Sequence, residues 1–128
     1  MTSYTRGVAQ DDPVNVAKIV MTGPFYANTL NNVTAKAGGV QANGTLLSGD
    51  VNIITVCATL NDSVLLPTAE AGREITVFNS GAAAASVFPG VGDKINALSA
   101  NASINIAAGK AVTFYGAALL AWVSLAGA

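Results

Sequence analysis

The sequence predicts an all-β protein: a small antiparallel β-sandwich or barrel of about seven strands with an extended N-terminal arm. Three observations predict it. Short apolar runs recur at roughly ten-residue spacing from Asn52 onward, turn-forming residues separate them, and no stretch carries the 3.6-residue apolar period of an amphipathic helix.

The clearest run lies at residues 64–81. Val64-Leu65-Leu66 ends at Pro67, a polar loop carries Glu70, Gly72 and Arg73, and a second run sets Ile75 and Val77 against Glu74 and Thr76 before Asn79-Ser80-Gly81. Period-two alternation with β-branched residues is what a half-buried strand requires. The other runs cover 52–58, 85–89, 103–107, 111–115 and 119–125. Ser103 to Ile106 and Val112 to Tyr115 alternate in the same way. Ala82 to Ala85 could be helical on propensity, but four residues cannot sustain a helix, so a tight loop is expected there. Ala69–Gly72 and Ala107–Lys110 echo each other before a strand and suggest equivalent hairpin corners, although two copies do not make a solenoid. Phe78, Phe88, Phe114 and Trp122 sit in different runs and are expected to supply most of the large core side chains.

Residues 1–50 differ in texture and are assigned to the arm, with 51–128 as the β-module. The first segment is rich in Asn, Thr and Gly, and Pro13 and Pro24 interrupt its short apolar pieces. Fully stretched, 45 residues reach at most about 150 Å, enough to contact a neighbouring subunit. Val16, Ile19, Met21, Phe25 and Tyr26 are its candidate partner contacts, as aliphatic and aromatic anchors.

Composition narrows function. Hydrophobic residues make up 52% of the 128, but 24 are alanines, so the core is expected to be thin and a monomer only marginally stable. Charged residues are 10% and the net charge is −1. Nucleic-acid binding needs clustered Lys and Arg, and the six basic residues are scattered, so no nucleic-acid partner is expected. So little charge instead suits a molecule that faces protein over much of its surface. The opening Met-Thr-Ser-Tyr-Thr-Arg is polar and no secretion signal is expected. Residues 111–128 lack charge over a length near the lower limit for a membrane span, but Thr113, Gly116 and Ser124 interrupt them. Two strands around Gly116-Ala117-Ala118, closing a sheet, are the better reading.

There is no histidine, which removes the commonest general base together with Ser-His-Asp and Cys-His arrangements. One cysteine, Cys57 within an apolar run, permits no intrachain disulfide and reads as a buried small hydrophobe. Asp62 and Asp93 stand in turns, where the side chain caps backbone N–H groups. Glu70 and Glu74 flank Arg73 and could pair with it to little effect. Gly90-Val91-Gly92-Asp93-Lys94 begins like a phosphate loop but lacks the Gly-Lys-Ser/Thr, and reads as a wide turn. No catalytic, cofactor or metal residue is assigned, and no enzyme activity is expected.

The progression Val-Leu-Leu-Pro, Ala-Gly-Arg-Glu-Ile-Thr-Val-Phe-Asn-Ser-Gly, Ser-Val-Phe-Pro-Gly-Val-Gly-Asp-Lys-Ile-Asn, Ala-Ala-Gly-Lys-Ala-Val-Thr-Phe and Trp-Val-Ser resembles small β-modules of tailed-bacteriophage structural proteins, among them head-decoration (cement) proteins. The resemblance covers about residues 51–125. It implies a virion part on the outer surface of the phage head, made in the host cytoplasm, commonly a homotrimer. Its partners would be the major capsid protein and itself, with no cofactor and no membrane. A tail-fibre or tail-associated adhesion module is the alternative, and a small membrane protein using residues 111–128 is a reading of another class.

Overall fold

The computed structural model describes Gly23 and residues 26–126. Four of the candidate arm contacts, Val16, Ile19, Met21 and Phe25, lie outside them. Among the described residues ten strands are present: β1 Thr29–Thr34, β2 Thr45–Leu46, β3 Val51–Val56, β4 Asp62–Leu65, β5 Glu74–Asn79, β6 Ala85–Phe88, β7 Lys94–Ile95, β8 Ile104–Ile106, β9 Lys110–Ala118 and β10 Ala121–Ala126. The only helix among the described residues is one 3₁₀ turn at Gln41–Asn43. The all-β expectation holds.

The arrangement differs from an antiparallel sandwich or barrel of about seven strands. Sheet A runs β1-β3-β5-β9-β10-β7 and sheet B runs β2-β4-β6-β8. The first six strands alternate between the sheets, so β1, β3 and β5 pair in parallel, as do β2, β4 and β6. The chain therefore coils through successive turns in the manner of a β-solenoid. The physical reason lies in the connections. Residues 57–61 and 80–84 are too few for a crossover within one sheet, which needs a dozen or more, but suffice to cross about 10 Å between stacked sheets. Reversal comes only at the end: β8 and β9 lie antiparallel to β6 and β5, and β10 folds back on β9.

Every run predicted from the sequence is a strand, and three strands were not foreseen. β7 is two residues long. β1 and β2 belong to the stretch assigned to the arm, yet β1 pairs with β3 and β2 with β4, so residues 29–46 are part of the folded body and the boundary at 50 falls inside it. The corners at Gly72 and Gly109, both at positive φ, are equivalent in linking sheet B to sheet A; neither is a hairpin.

The core lies between the sheets. Leu47, Ile54, Val64, Ile75, Val77, Val87, Ile95, Ile106, Phe114 and Trp122 are fully or almost fully buried in one cluster. Its alanines are few, Ala35, Ala69 and Ala85, so the expected thin core is corrected: most alanines stay outside it. Each aliphatic side chain so buried contributes about 1.5–3 kcal/mol. Phe114 and Trp122 pack edge to face with centroids 6.5 Å apart. Phe78 and Phe88 are not in the core, because Ile75, Val77 and Asn79 take the inward positions of β5 and alternation turns Phe78 outward.

Buried polar residues fasten the corners. The Asn79 amide donates to Ala83 O (2.8 Å) and Ile106 O (2.9 Å) and accepts from Gly81 N–H (2.9 Å). Asn52 closes a reciprocal pair with Gly49. Asp62 Oδ2 accepts from Ala58 and Thr59 N–H, and Asp93 Oδ2 accepts from Ala69 N–H at 2.8 Å, drawing the Gly90 turn onto the loop before β5.

Candidate interaction surface

The strands that bury Ile54, Ile75, Val77, Val112, Phe114 and Trp122 must present their alternate residues on the other side of sheet A. The register aligns them in rows. Val51, Thr76, Thr113 and Leu125 form one row across β3, β5, β9 and β10; Glu74, Tyr115 and Val123 form a second; Ile53, Phe78 and Ala111 form a third. Leu125 is 64% exposed and Val123 43%. The two threonines of the first row share a hydrogen bond of 3.0 Å between their hydroxyls. Beyond β3 the face turns polar, with Thr29, Asn32 and Thr34 exposed on β1.

Charge is absent from the middle of this face for a specific reason. The strands of the described residues hold four charged side chains, Asp62, Glu74, Lys94 and Lys110, and each is the first residue of its strand. Other charges, including Asp50, Glu70, Arg73 and Asp93, lie in connections. Sheet B also keeps charge to a strand start, but its far side is partly covered: the row Leu46, Leu65, Phe88 lies beside the row Ser63, Ser86, Asn105, in which Ser63 and Ser86 are buried and Ser63 Oγ donates to Lys36 O and Val40 O. Ser86 Oγ lies 2.9 Å from Asn105 Oδ1.

At one end of the sheet A face lies a shallow groove of about 500 Å³ lined by Ala27, Asp50, Val51, Gly72, Arg73, Glu74 and Thr76. Asp50 Oδ2 there accepts from Asn28 N–H at 3.1 Å, and the Arg73 N–H donates to Glu70 O, also at 3.1 Å. These bonds close turns. Among the described residues no group of three or more acidic or cysteine side chains is placed to hold a metal ion.

Of the sequence-predicted contacts, only Tyr26 is described; it is 80% exposed and precedes β1. Cys57 is buried as expected, with its Sγ 3.7 Å from Thr59 O, and burial first, then the nearby Asp62 charge, pushes its thiol up from the ordinary value. Residues 111–126 form strands β9 and β10, joined at Leu119-Leu120 rather than at 116–118. No helix among the described residues is long and apolar enough to cross a membrane. No protein-family model, curated protein or solved structure matches this chain.

Proposed function

We propose that the protein is a virion component without catalytic function, a decoration protein of a tailed-bacteriophage head that attaches to the major capsid protein, associates with itself (as a trimer in the proteins it resembles) and strengthens joints between capsid subunits. The observation that carries this reading is the placement of charge. Both sheets keep charged residues to strand starts and connections, and beyond Glu74 the outer face of sheet A carries apolar and hydroxyl side chains. Faces of that kind are characteristic of surfaces that become covered by protein. Added contact area at each joint would resist the pressure of packaged DNA, and several weak contacts per oligomer would raise avidity.

Residues 1–25, ahead of the described strands, are the segment this reading assigns to capsid contact. Val16, Ile19, Met21 and Phe25, with the exposed Tyr26, are its anchors. Purified virions of the phage encoding the chain give the test. Mass spectrometry of heads freed of tails is expected to recover the tryptic peptide Glu74–Lys94, and cryo-electron microscopy to place the protein outside the shell. Recovery of the peptide from isolated tails alone would favour the adhesion-module alternative, and its absence from virions would end the proposal.

A further inference from the structure

We infer that the outer face of sheet A is where copies of this chain meet one another, each presenting the rows Val51-Thr76-Thr113-Leu125 and Ile53-Phe78-Ala111, with Tyr115 and Val123, to the same face of a neighbour. This deepens the structural-protein reading and rests on it: a same-face contact closes as a pair, so it would join copies two by two, separately from any contact that builds a trimer.

Three features select a second copy as the occupant. First, strands about 4.8 Å apart and rising about 3.3 Å per residue give β1, β3, β5, β9 and β10 a footprint on the order of 500 Å². Two such faces bury on the order of 1,000 Å², the area at which a specific protein contact becomes tenable. Second, the face offers a foreign partner little to recognise by charge. Steering and discrimination between different proteins come from complementary charges, and the only charged residue in the rows is Glu74, at their end. Two copies of this face meet with Glu74, and Asp50 and Arg73 of the adjoining groove, at the margin of the contact rather than in its middle. Third, the layout suits isologous packing: an uncharged centre over β3, β5, β9 and β10, where Thr76 and Thr113 bond to each other among apolar side chains, bounded on the β1 side by the polar Thr29, Asn32 and Thr34.

An area at the lower bound makes the association weak and dependent on concentration, to be completed where copies are held side by side. Sedimentation equilibrium of the full chain from about 5 to 500 μM covers the range expected of a small contact. The expected result is a mass rising from 12.8 kDa toward twice that value. Val123→Lys combined with Leu125→Lys places two ammonium groups on the face without touching the core and should hold the chain at monomer mass. Leu46→Lys, on the outer side of sheet B, should leave the association unchanged. Should the lysine pair unfold the chain, Val123→Thr with Leu125→Thr alters the same surface with strand-forming residues, and is expected to weaken association at least tenfold. A wild-type chain monomeric throughout, or a folded lysine or threonine pair that associates like wild type, overturns the inference. Virion attachment is scored separately. A monomeric wild-type chain still found on heads would sink the self-contact while leaving the decoration reading intact.

Discussion

Gly116 lies inside β9, opposite Trp122 of β10, with no room for a side chain. A Cβ there would fall 2.8 Å from the carbonyl carbon of Glu70 and closer still to its oxygen, because the loop before β5 crosses directly over it. The crossing is held by Gly116 N–H to Arg73 O (2.6 Å) and Gly72 N–H to Gly116 O (2.9 Å). Backbone cannot yield as a flexible side chain can, and overpacking a close-packed site costs about 1–3 kcal/mol or more. Gly116→Ala is therefore expected to destabilise the protein by about 3 kcal/mol, read as a drop in the urea midpoint with unchanged slope. Cys57 gives a second expectation at this scale. Its thiol is raised in the folded state by burial and by Asp62, so the neutral form is favoured by folding. That contribution is complete below the thiol's unfolded value and is lost as pH climbs through the raised folded value. Wild-type stability should thus fall more steeply above about pH 9 than that of Cys57→Ala, and the native thiol should resist disulfide reagents until the chain unfolds.

At the scale of the element, period-two alternation was legible because it reports which side of a strand is buried. Ile75 with Val77, and Val112 with Phe114, face inward as the spacing predicts. Partnership was not legible. Alternation says nothing of whether the next strand lies beside the last or in the opposite sheet, so connections read as hairpins proved to cross between layers. β1 was hidden by its composition: Thr-Leu-Asn-Asn-Val-Thr is polar because an edge strand has one neighbour and little to bury. The outer face was missed for a related reason, since Phe78 was assigned to the core on size alone. The β9–β10 hairpin shows how local chemistry can yield to its surroundings. Its two-residue turn is Leu119-Leu120, with Leu120 at φ +65°, a conformation unfavourable for a leucine. Its backbone is fixed from two sides, Leu120 N–H donating to Ala69 O and Leu120 O accepting from Lys94 N–H. Asparagine tolerates this conformation, and Leu120 is 46% exposed, so little burial is lost. Leu120→Asn should stabilise the protein by about 0.5–1 kcal/mol, seen as a higher thermal midpoint.

The whole molecule gains its stability turn by turn, since in a coiled sheet pair each turn buries its inner side chains against the next. The turn formed by β1 and β2 covers the one formed by β3 and β4, and contributes Val33, Ala35 and Leu47 to the core. The division of the chain is thereby open to a direct experiment. A chain shortened to 26–128 keeps every described strand. One shortened to 51–128, the module marked out by sequence texture, loses β1 and β2, uncovers the flanks of β3 and β4, and leaves Ile54 and Val64 with one neighbouring turn in place of two. Open parallel edges with apolar flanks pair with other chains when nothing covers them. The loss of three core side chains at about 1–3 kcal/mol each approaches the entire stability of a domain this size. The 26–128 chain is expected to unfold in a single cooperative transition within a few degrees of the full chain, whereas 51–128 should be insoluble or lack a transition. Only the longer truncation product then separates folding from attachment: folded, and missing from phage heads, it would assign the capsid contact to residues 1–25. A soluble, cooperatively melting 51–128 would instead mean that β1 and β2 are dispensable to the core and that the module boundary near residue 50 stands.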